Sequence, residues 1–163
     1  MNRKLMVGVI GSSVADRELE GIAREVGREI ALAGGVLICG GLAGVMEAAC
    51  RGAKEAGGTT IGVLPGLSQA DANPFVDFPI LTGLGEARNV IVVSSAEAVI
   101  ACGGGPGTLS EIAFALRQGK ILAGIQTWKI TDRAGYSEFF PQFEQPKLAV
   151  EYVFKKIGGE MNG

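Results

Sequence analysis

The chain has 163 residues, a formal net charge of −2, 47% hydrophobic and 20% charged residues, 26 glycines and no histidine. That is enough apolar material for one packed core, and it excludes a disordered chain. The charge gives no basic footprint for nucleic acid, and the missing histidine excludes every Ser-His-Asp or Cys-His mechanism.

The elements are read in chain order from their periodicity. "KLMVGVIG", Lys4 to Gly11, is a short β-branched run that ends in glycine and reads as a buried first strand, not as a signal peptide. Val14 to Ala33 places Leu19, Ile22, Ala23, Val26, Ile30 and Ala33 at helical spacing. Val36 to Cys39 is a second strand, Gly44 to Ala56 a helix, and "TTIGVLPG" a third strand stopped by Pro65. Leu67 to Pro74 is a loop. Phe78 to Leu81 is a short strand, Glu86 to Ser95 a helix, Ala98 to Cys102 a strand, Gly107 to Gln118 a helix and Ile121 to Gln126 a strand. Thr127 to Pro146 is mixed and aromatic and reads as local packing or a subunit contact. Lys147 to Ile157 closes with a helix. Strands alternating with helices predict an α/β fold of three layers: a doubly wound, mainly parallel sheet with helices on both faces.

The most apolar stretch, Val90 to Cys102, is interrupted by Ser94, Ser95 and Glu97 and is too short to cross a bilayer, so no membrane partner is expected. Cys39, Cys50 and Cys102 have no metal-ligand spacing, so no metal site is expected. They read as reduced thiols of a cytoplasmic protein, with two readings for Cys39 and Cys102 at their strand ends: buried and inert, or facing the site.

Three turns each follow a strand and precede a helix: Gly11-Ser12-Ser13, Gly40 to Gly44, and Gly103 to Thr108. In a doubly wound sheet all three lie at the carboxyl edge of the strands, where ligands bind. Helix N-termini there carry unpaired N–H groups and partial positive charge, and glycine lets an anion approach the backbone. No G-x-x-x-x-G-K-[ST] run exists, the first turn lacks G-x-G-x-x-G, and no acid ends the second strand. A P-loop ATPase is therefore excluded and a dinucleotide dehydrogenase disfavoured. Thr108 and Glu111 have two readings: a T-x-x-E capping box, or a phosphate-loop threonine with a first-turn carboxylate able to act as acid, base or electrostatic stabiliser. "TGLGEARN", Thr82 to Asn89, brings Arg88 to the same edge. Its readings are a surface pair with Glu86, or a bidentate clamp on phosphate or on Glu111.

"GGGPGTLSE", Gly103 to Glu111, resembles the P-G-G-x-G-T-x-x-E signature of the LOG ("Lonely guy") superfamily, whose members have also carried a lysine decarboxylase label. "CGGLAGVMEAACRGAKEAGGTTIGVLP", Cys39 to Pro65, resembles its G-G-x-x-G-[LV]-M segment, and the likeness extends over most of Val7 to Gln126. "GVMEAA", "TGLGEARN" and "GTLSEIA" are most similar to the subgroup that includes the molybdenum cofactor carrier proteins. The resemblance implies a single Rossmann-like domain over residues 1–163 and a homodimer or larger homo-oligomer. In the LOG enzymes the signature loop holds the 5′-phosphate of a nucleoside monophosphate, while an arginine and a glutamate assist cleavage of the N-glycosidic bond. Arg88 and Glu111 match those catalytic positions, and Gly104, Gly105, Gly107 and Thr108 match the phosphate loop. Gly11, Ser12, Ser13, Gly40, Gly41 and Gly44 complete the expected binding set. In the carrier proteins the same edge holds a phosphate-bearing pterin cofactor without chemistry. Gly103 stands in place of the family's proline, Ser110 in place of a frequent second acid, and Asn89 in place of a frequent lysine. These departures weaken the case for a hydrolase and leave phosphate binding untouched. A lysine decarboxylase is excluded, because no lysine lies beside these turns to hold pyridoxal phosphate. The expectation is a protein that requires no cofactor and binds a phosphorylated small molecule: a nucleotide, phosphate or the molybdenum cofactor. The alternative is a nucleoside 5′-monophosphate phosphoribohydrolase.

Overall fold

Short β-branched runs bounded by glycine turns become the strands of one sheet in the computed structural model, which describes residues 3–160. The strands are β1 (Met6–Gly11), β2 (Val36–Cys39), β3 (Thr59–Leu64), β4 (Phe78–Leu81), β5 (Ala98–Cys102) and β6 (Ile121–Ile125). Their order is β4-β3-β2-β1-β5-β6, and every neighbouring pair is parallel. Parallel strands are covered on both faces, so they lack the alternation of a half-solvated sheet. Every residue of β5 is buried. The chain builds outward from β1 to β4, then returns to place β5 on the other side of β1. The two sides diverge at β1 and β5, which pair from Val7 with Ala98 to Gly11 with Cys102.

The helices are α1 (Arg17–Leu32), α2 (Val45–Glu55), α3 (Asn89–Ser95), α4 (Pro106–Arg117) and α5 (Pro146–Glu160). One face of the sheet packs Val7, Val9 and Leu37 against Val26 and Ile30 of α1, Ala49 and Cys50 of α2, and Val153 and Ile157 of α5. The other packs Ile10, Ile38 and Val99 against Val92 and Val93 of α3 and Ile112 and Ala115 of α4. The three-layer α/β architecture is the expected one. α1 and α2 approach unusually closely. A Cβ on Gly27 would stand 1.9 Å from the Ala49 carbonyl oxygen, and one on Gly52 would stand 1.8 Å from that of Arg24.

Several boundaries differ from the sequence reading, and three helix starts differ for a local reason. α1 begins at Arg17, because the Asp16 carboxylate caps it by accepting from the Leu19 N–H at 2.9 Å. The helix expected from Glu86 is a 3₁₀ turn, Gly85–Arg88, followed by α3. α4 begins at Pro106 with Gly105 as N-cap, because proline at the first helical position sets φ without losing a needed donor. The loop between β3 and β4 holds a further 3₁₀ turn, Gln69–Asp71. In the aromatic segment Phe140 joins the core, and Phe143 meets Tyr152 of α5 with ring centroids 5.3 Å apart. No helix among the described residues is long and apolar enough to cross a membrane.

Candidate functional site

The turns after β1, β2 and β5 and the segment after β4 converge at the carboxyl edge of the sheet around a cavity of about 470 Å³. Ligand sites of open α/β sheets lie at this edge, where the strand order reverses, and the volume falls within the range of small-molecule pockets. Of the residues expected there, Gly11, Ser12, Ser13, Gly40, Arg88, Gly105, Gly107, Thr108 and Glu111 line the cavity. Gly41, Gly44 and Gly104 are not among the lining residues.

The glycines divide by what fills the space that a Cβ would take. At Gly105 and Gly107 nothing lies within 4 Å, so both present open backbone to the cavity. They occupy the N-cap and second position of α4, where the first-turn N–H groups of Gly107 and Thr108 have no intrahelical acceptor. Gly40 is different: its missing Cβ would lie 2.8 Å from Nη2 of Arg88, so this glycine makes room for a guanidinium rather than for an anion. Gly44 has φ +64°, and its missing Cβ would press on the backbone of Ser12 and Ser13, locking the first two turns together. The link is reinforced by the Val45 N–H donating to the Ser12 carbonyl at 3.0 Å. The Ser12 hydroxyl is used locally, accepting from the Val14 N–H at 3.1 Å.

Arg88 comes from the 3₁₀ turn and is only 7% exposed. No carboxylate among the described residues lies within ion-pair distance of it, and its Nε is buried with no hydrogen-bond partner. The surface pair with Glu86 therefore does not form, and neither does a direct clamp on Glu111. Burial holds the guanidinium below its usual value, against the upward pull of Glu111, Cys39 and Glu86. A buried, unpaired cation is expensive in a fold unless a ligand completes it.

Glu111 lies in the second turn of α4, 7% exposed. Burial pushes its carboxyl up to about 7, with Arg88 pulling the other way. Thr108 is 3% exposed and sits inside the helix, its side chain packed under Gly104. The capping-box reading fails for a simple reason: the N-cap of α4 is Gly105, three residues before Thr108, and it uses no side chain.

Sequence reasoning missed Asn89, Met46, Leu42 and Pro65, which also line the cavity. Asn89 is notable because its Oδ1 is buried without a partner. Its signal was available: it is the residue after Arg88 that departs from the family's usual lysine. The apolar three carried none, because a lining Leu, Met or Pro looks like core. Cys39, Cys50 and Cys102 are all buried and free, as expected. Burial pushes the Cys102 thiol up to about 12. No group of three or more His, Cys, Asp or Glu among the described residues could hold a metal ion.

A parallel sheet in this order, with its cavity where β1 and β5 part, defines a Rossmann-like α/β protein. Within that class the chain belongs to the SLOG cluster4 family, whose model matches residues 4–152. An uncharacterized protein of Archaeoglobus fulgidus is 47% identical over 150 residues, covering 91% of this chain and 95% of the relative. The molybdenum cofactor binding protein of the phototrophic bacterium Rippkaea orientalis is 38% identical with a TM-score of 0.87, over 95% of this chain and 98% of that one. The molybdenum cofactor carrier protein of Chlamydomonas reinhardtii is 37% identical with a TM-score of 0.83, over 96% and 99%. The resemblance carried by the glycine signatures thus holds, down to the carrier-like subgroup.

Proposed function

We propose that this protein binds and carries a molybdenum cofactor-type ligand, a pterin bearing a phosphate, in the cavity at the carboxyl edge of the sheet. The observation that carries the reading is Arg88, buried, unpaired and beside the open N-terminus of α4. The phosphate end of the ligand fits these donors: first-turn N–H groups of Gly107 and Thr108, positive helix end and guanidinium all favour an anion. The bare backbone of Gly105 and Gly107 permits close approach. Glu111, held largely neutral below about pH 7, adds an O–H donor instead of a repelling charge. Leu42, Met46 and Pro65 offer apolar wall to the flat ring system. The bound cofactor would supply molybdenum redox chemistry to an acceptor enzyme; here the chain's own residues bind it, orient it and exclude water. The Rippkaea and Chlamydomonas relatives, named for binding or carrying this cofactor, support the assignment.

The test is to produce the protein in cells that make the cofactor and to identify by mass spectrometry what denaturation releases. A phosphate-bearing pterin from the wild type, and none from Arg88→Ala, is the expected result. A protein that neither copurifies with the pterin nor binds it when supplied refutes the reading.

One observation favours a second reading. A buried carboxyl poised at about 7 suits general acid–base work at neutral pH. Glu111 would then assist cleavage of the N-glycosidic bond of a nucleoside 5′-monophosphate, whose oxocarbenium-like transition state a carboxylate stabilises. Release of adenine from adenosine monophosphate by the wild type and not by Glu111→Gln would replace the carrier reading with this one.

A further inference from the structure

Beneath the cavity lies a feature that neither reading uses. Cys39, the last residue of β2, and Cys50, in the middle of α2, bring their sulfurs to 3.5 Å, with either thiol able to donate to the other. Both side chains are fully buried. The Gly41 N–H donates to the Cys39 sulfur at 3.3 Å. The chain between the two cysteines comprises the Gly40–Gly44 turn and the start of α2, and it forms one wall of the cavity through Gly40, Leu42 and Met46.

We infer that Cys39 and Cys50 are a redox-responsive pair, oxidised by a small peroxide to a disulfide that ties α2 to the end of β2 and clamps the Gly40–Gly44 turn. The inference does not depend on which ligand the cavity takes. The two sulfurs already touch, and a disulfide needs only their further approach to about 2.05 Å. The ring it closes is short and contains the whole turn, so the constraint falls on that wall and on little else. Cys102 ends β5 on the far side of β1 and has no thiol partner, which makes it an internal reference.

Cys39 is the attacking sulfur. The contact with the Cys50 thiol, the Gly41 N–H that donates to it and the positive charge of Arg88 together hold its proton more loosely than usual despite burial. The Cys50 thiol is held protonated by that same contact and by burial. The Cys39 thiolate attacks one peroxide oxygen, the O–O bond breaks, and hydroxide leaves to become water on taking up the proton Cys39 released. Cys39 is then a sulfenic acid. The Cys50 sulfur attacks the Cys39 sulfur, the S–O bond breaks, and hydroxide leaves with the Cys50 proton as a second water. The two sulfurs lose two electrons in all, and the peroxide gains them. A peroxide suits the site because it is scarcely larger than water and Gly40, next to Cys39, already borders the cavity.

The experiment treats the native protein with hydrogen peroxide, quenches it, unfolds it, alkylates free thiols with iodoacetamide and digests it with trypsin. Cys39 and Cys50 fall in one tryptic peptide, between Arg28 and Arg51, and Cys102 falls in another. The expected product is a peptide lighter by two hydrogens and carrying no alkyl group, beside an alkylated Cys102, with dithiothreitol restoring alkylation at all three cysteines. Amide hydrogen exchange at Gly40–Gly44 should slow on oxidation and recover on reduction. In Cys50→Ser the sulfenic acid has no resolving thiol, so dimedone should label Cys39. Three alkylated cysteines after peroxide, or a link to Cys102, overturns the pairing. A disulfide that leaves exchange of the turn unchanged overturns the clamp.

Discussion

Glu111 shows how one buried carboxyl writes itself into the stability of the protein. Its ordinary value of 4.5 is raised to about 7, first by burial and with Arg88 opposing. Below about pH 4.5 it is protonated in both states, and its contribution is fully present. As pH rises through about 7 the unfolded chain has already lost a proton that the native state still holds, so that stability is lost. A shift of this size corresponds to at most about 3 kcal/mol. Glu111→Gln should therefore flatten the decline between pH 4.5 and 7 and exceed the wild type at pH 8, read from urea midpoints at unchanged slope. Parallel curves for the two proteins would show that the carboxyl is solvated in the native state. Gly107 gives a cleaner test of binding. It has φ outside the left-handed region and open space where a Cβ would go. Gly107→Ala should leave the ligand-free stability unchanged or raise it by up to about 1 kcal/mol from helix propensity. On the proposed function the new methyl group enters the space the phosphate would take, so affinity should fall. A variant that binds as tightly as the wild type would move the anion away from the N-terminus of α4.

At the scale of elements, the pairing of α1 with α2 fixes where the first two glycine turns stand. The helices touch through Gly27 and Gly52, each seated on a carbonyl of the other helix. Gly27→Ala and Gly52→Ala would each drive a methyl group into backbone that no rotamer change can relieve. Each should destabilise by about 1–3 kcal/mol or more. Gly21→Ala, on the same helix with nothing within 4 Å, should stabilise by up to about 1 kcal/mol. Equal effects at the three positions in chemical denaturation would mean that the close approach is not rigid. These contacts also mark the limit of what the sequence discloses. All six strands and five helices are legible in it, because β-branched runs ending in glycine alternate with 3.6-residue periods. The helix starts at Arg17, Asn89 and Pro106 are not, because capping by Asp16 and Gly105 and the tight turn before Asn89 depend on local geometry that periodicity does not encode. The site divides the same way. Gly105, Gly107, Arg88 and Glu111 stand out as a glycine signature and two charges at one edge. The role of Gly40 is invisible until the fold lays Arg88 across it, 48 positions away in the chain. Asn89 and the apolar wall are legible only once the cavity exists.

Over the whole molecule, the cavity gathers segments from both halves of the sheet: turns after β1 and β2 on one side, the turn after β5 on the other, and Arg88 from the far edge beyond β4. No partial unfolding of either half leaves the site intact, so a ligand binds the native state and not fragments of it. Its binding energy then adds to global stability. At about 100 times the dissociation constant the gain is about 2.7 kcal/mol, which for a chain of this size raises the melting temperature by about 5–11 °C. The effect should depend on pH through Glu111. An anion beside this carboxyl raises its proton affinity further, so binding takes up a proton wherever free Glu111 is partly ionised. At fixed ligand concentration the stabilisation should shrink between pH 7 and about 8.5, above the phosphate's own second ionisation near 6. Glu111→Gln should abolish that decline while keeping the shift itself, and Arg88→Ala should abolish the shift at every pH. Calorimetric titration in buffers of different ionisation heat measures the proton directly. Proton uptake in the wild type and none in Glu111→Gln would place the anion beside the carboxyl, whereas equal uptake in both would place it elsewhere on the rim.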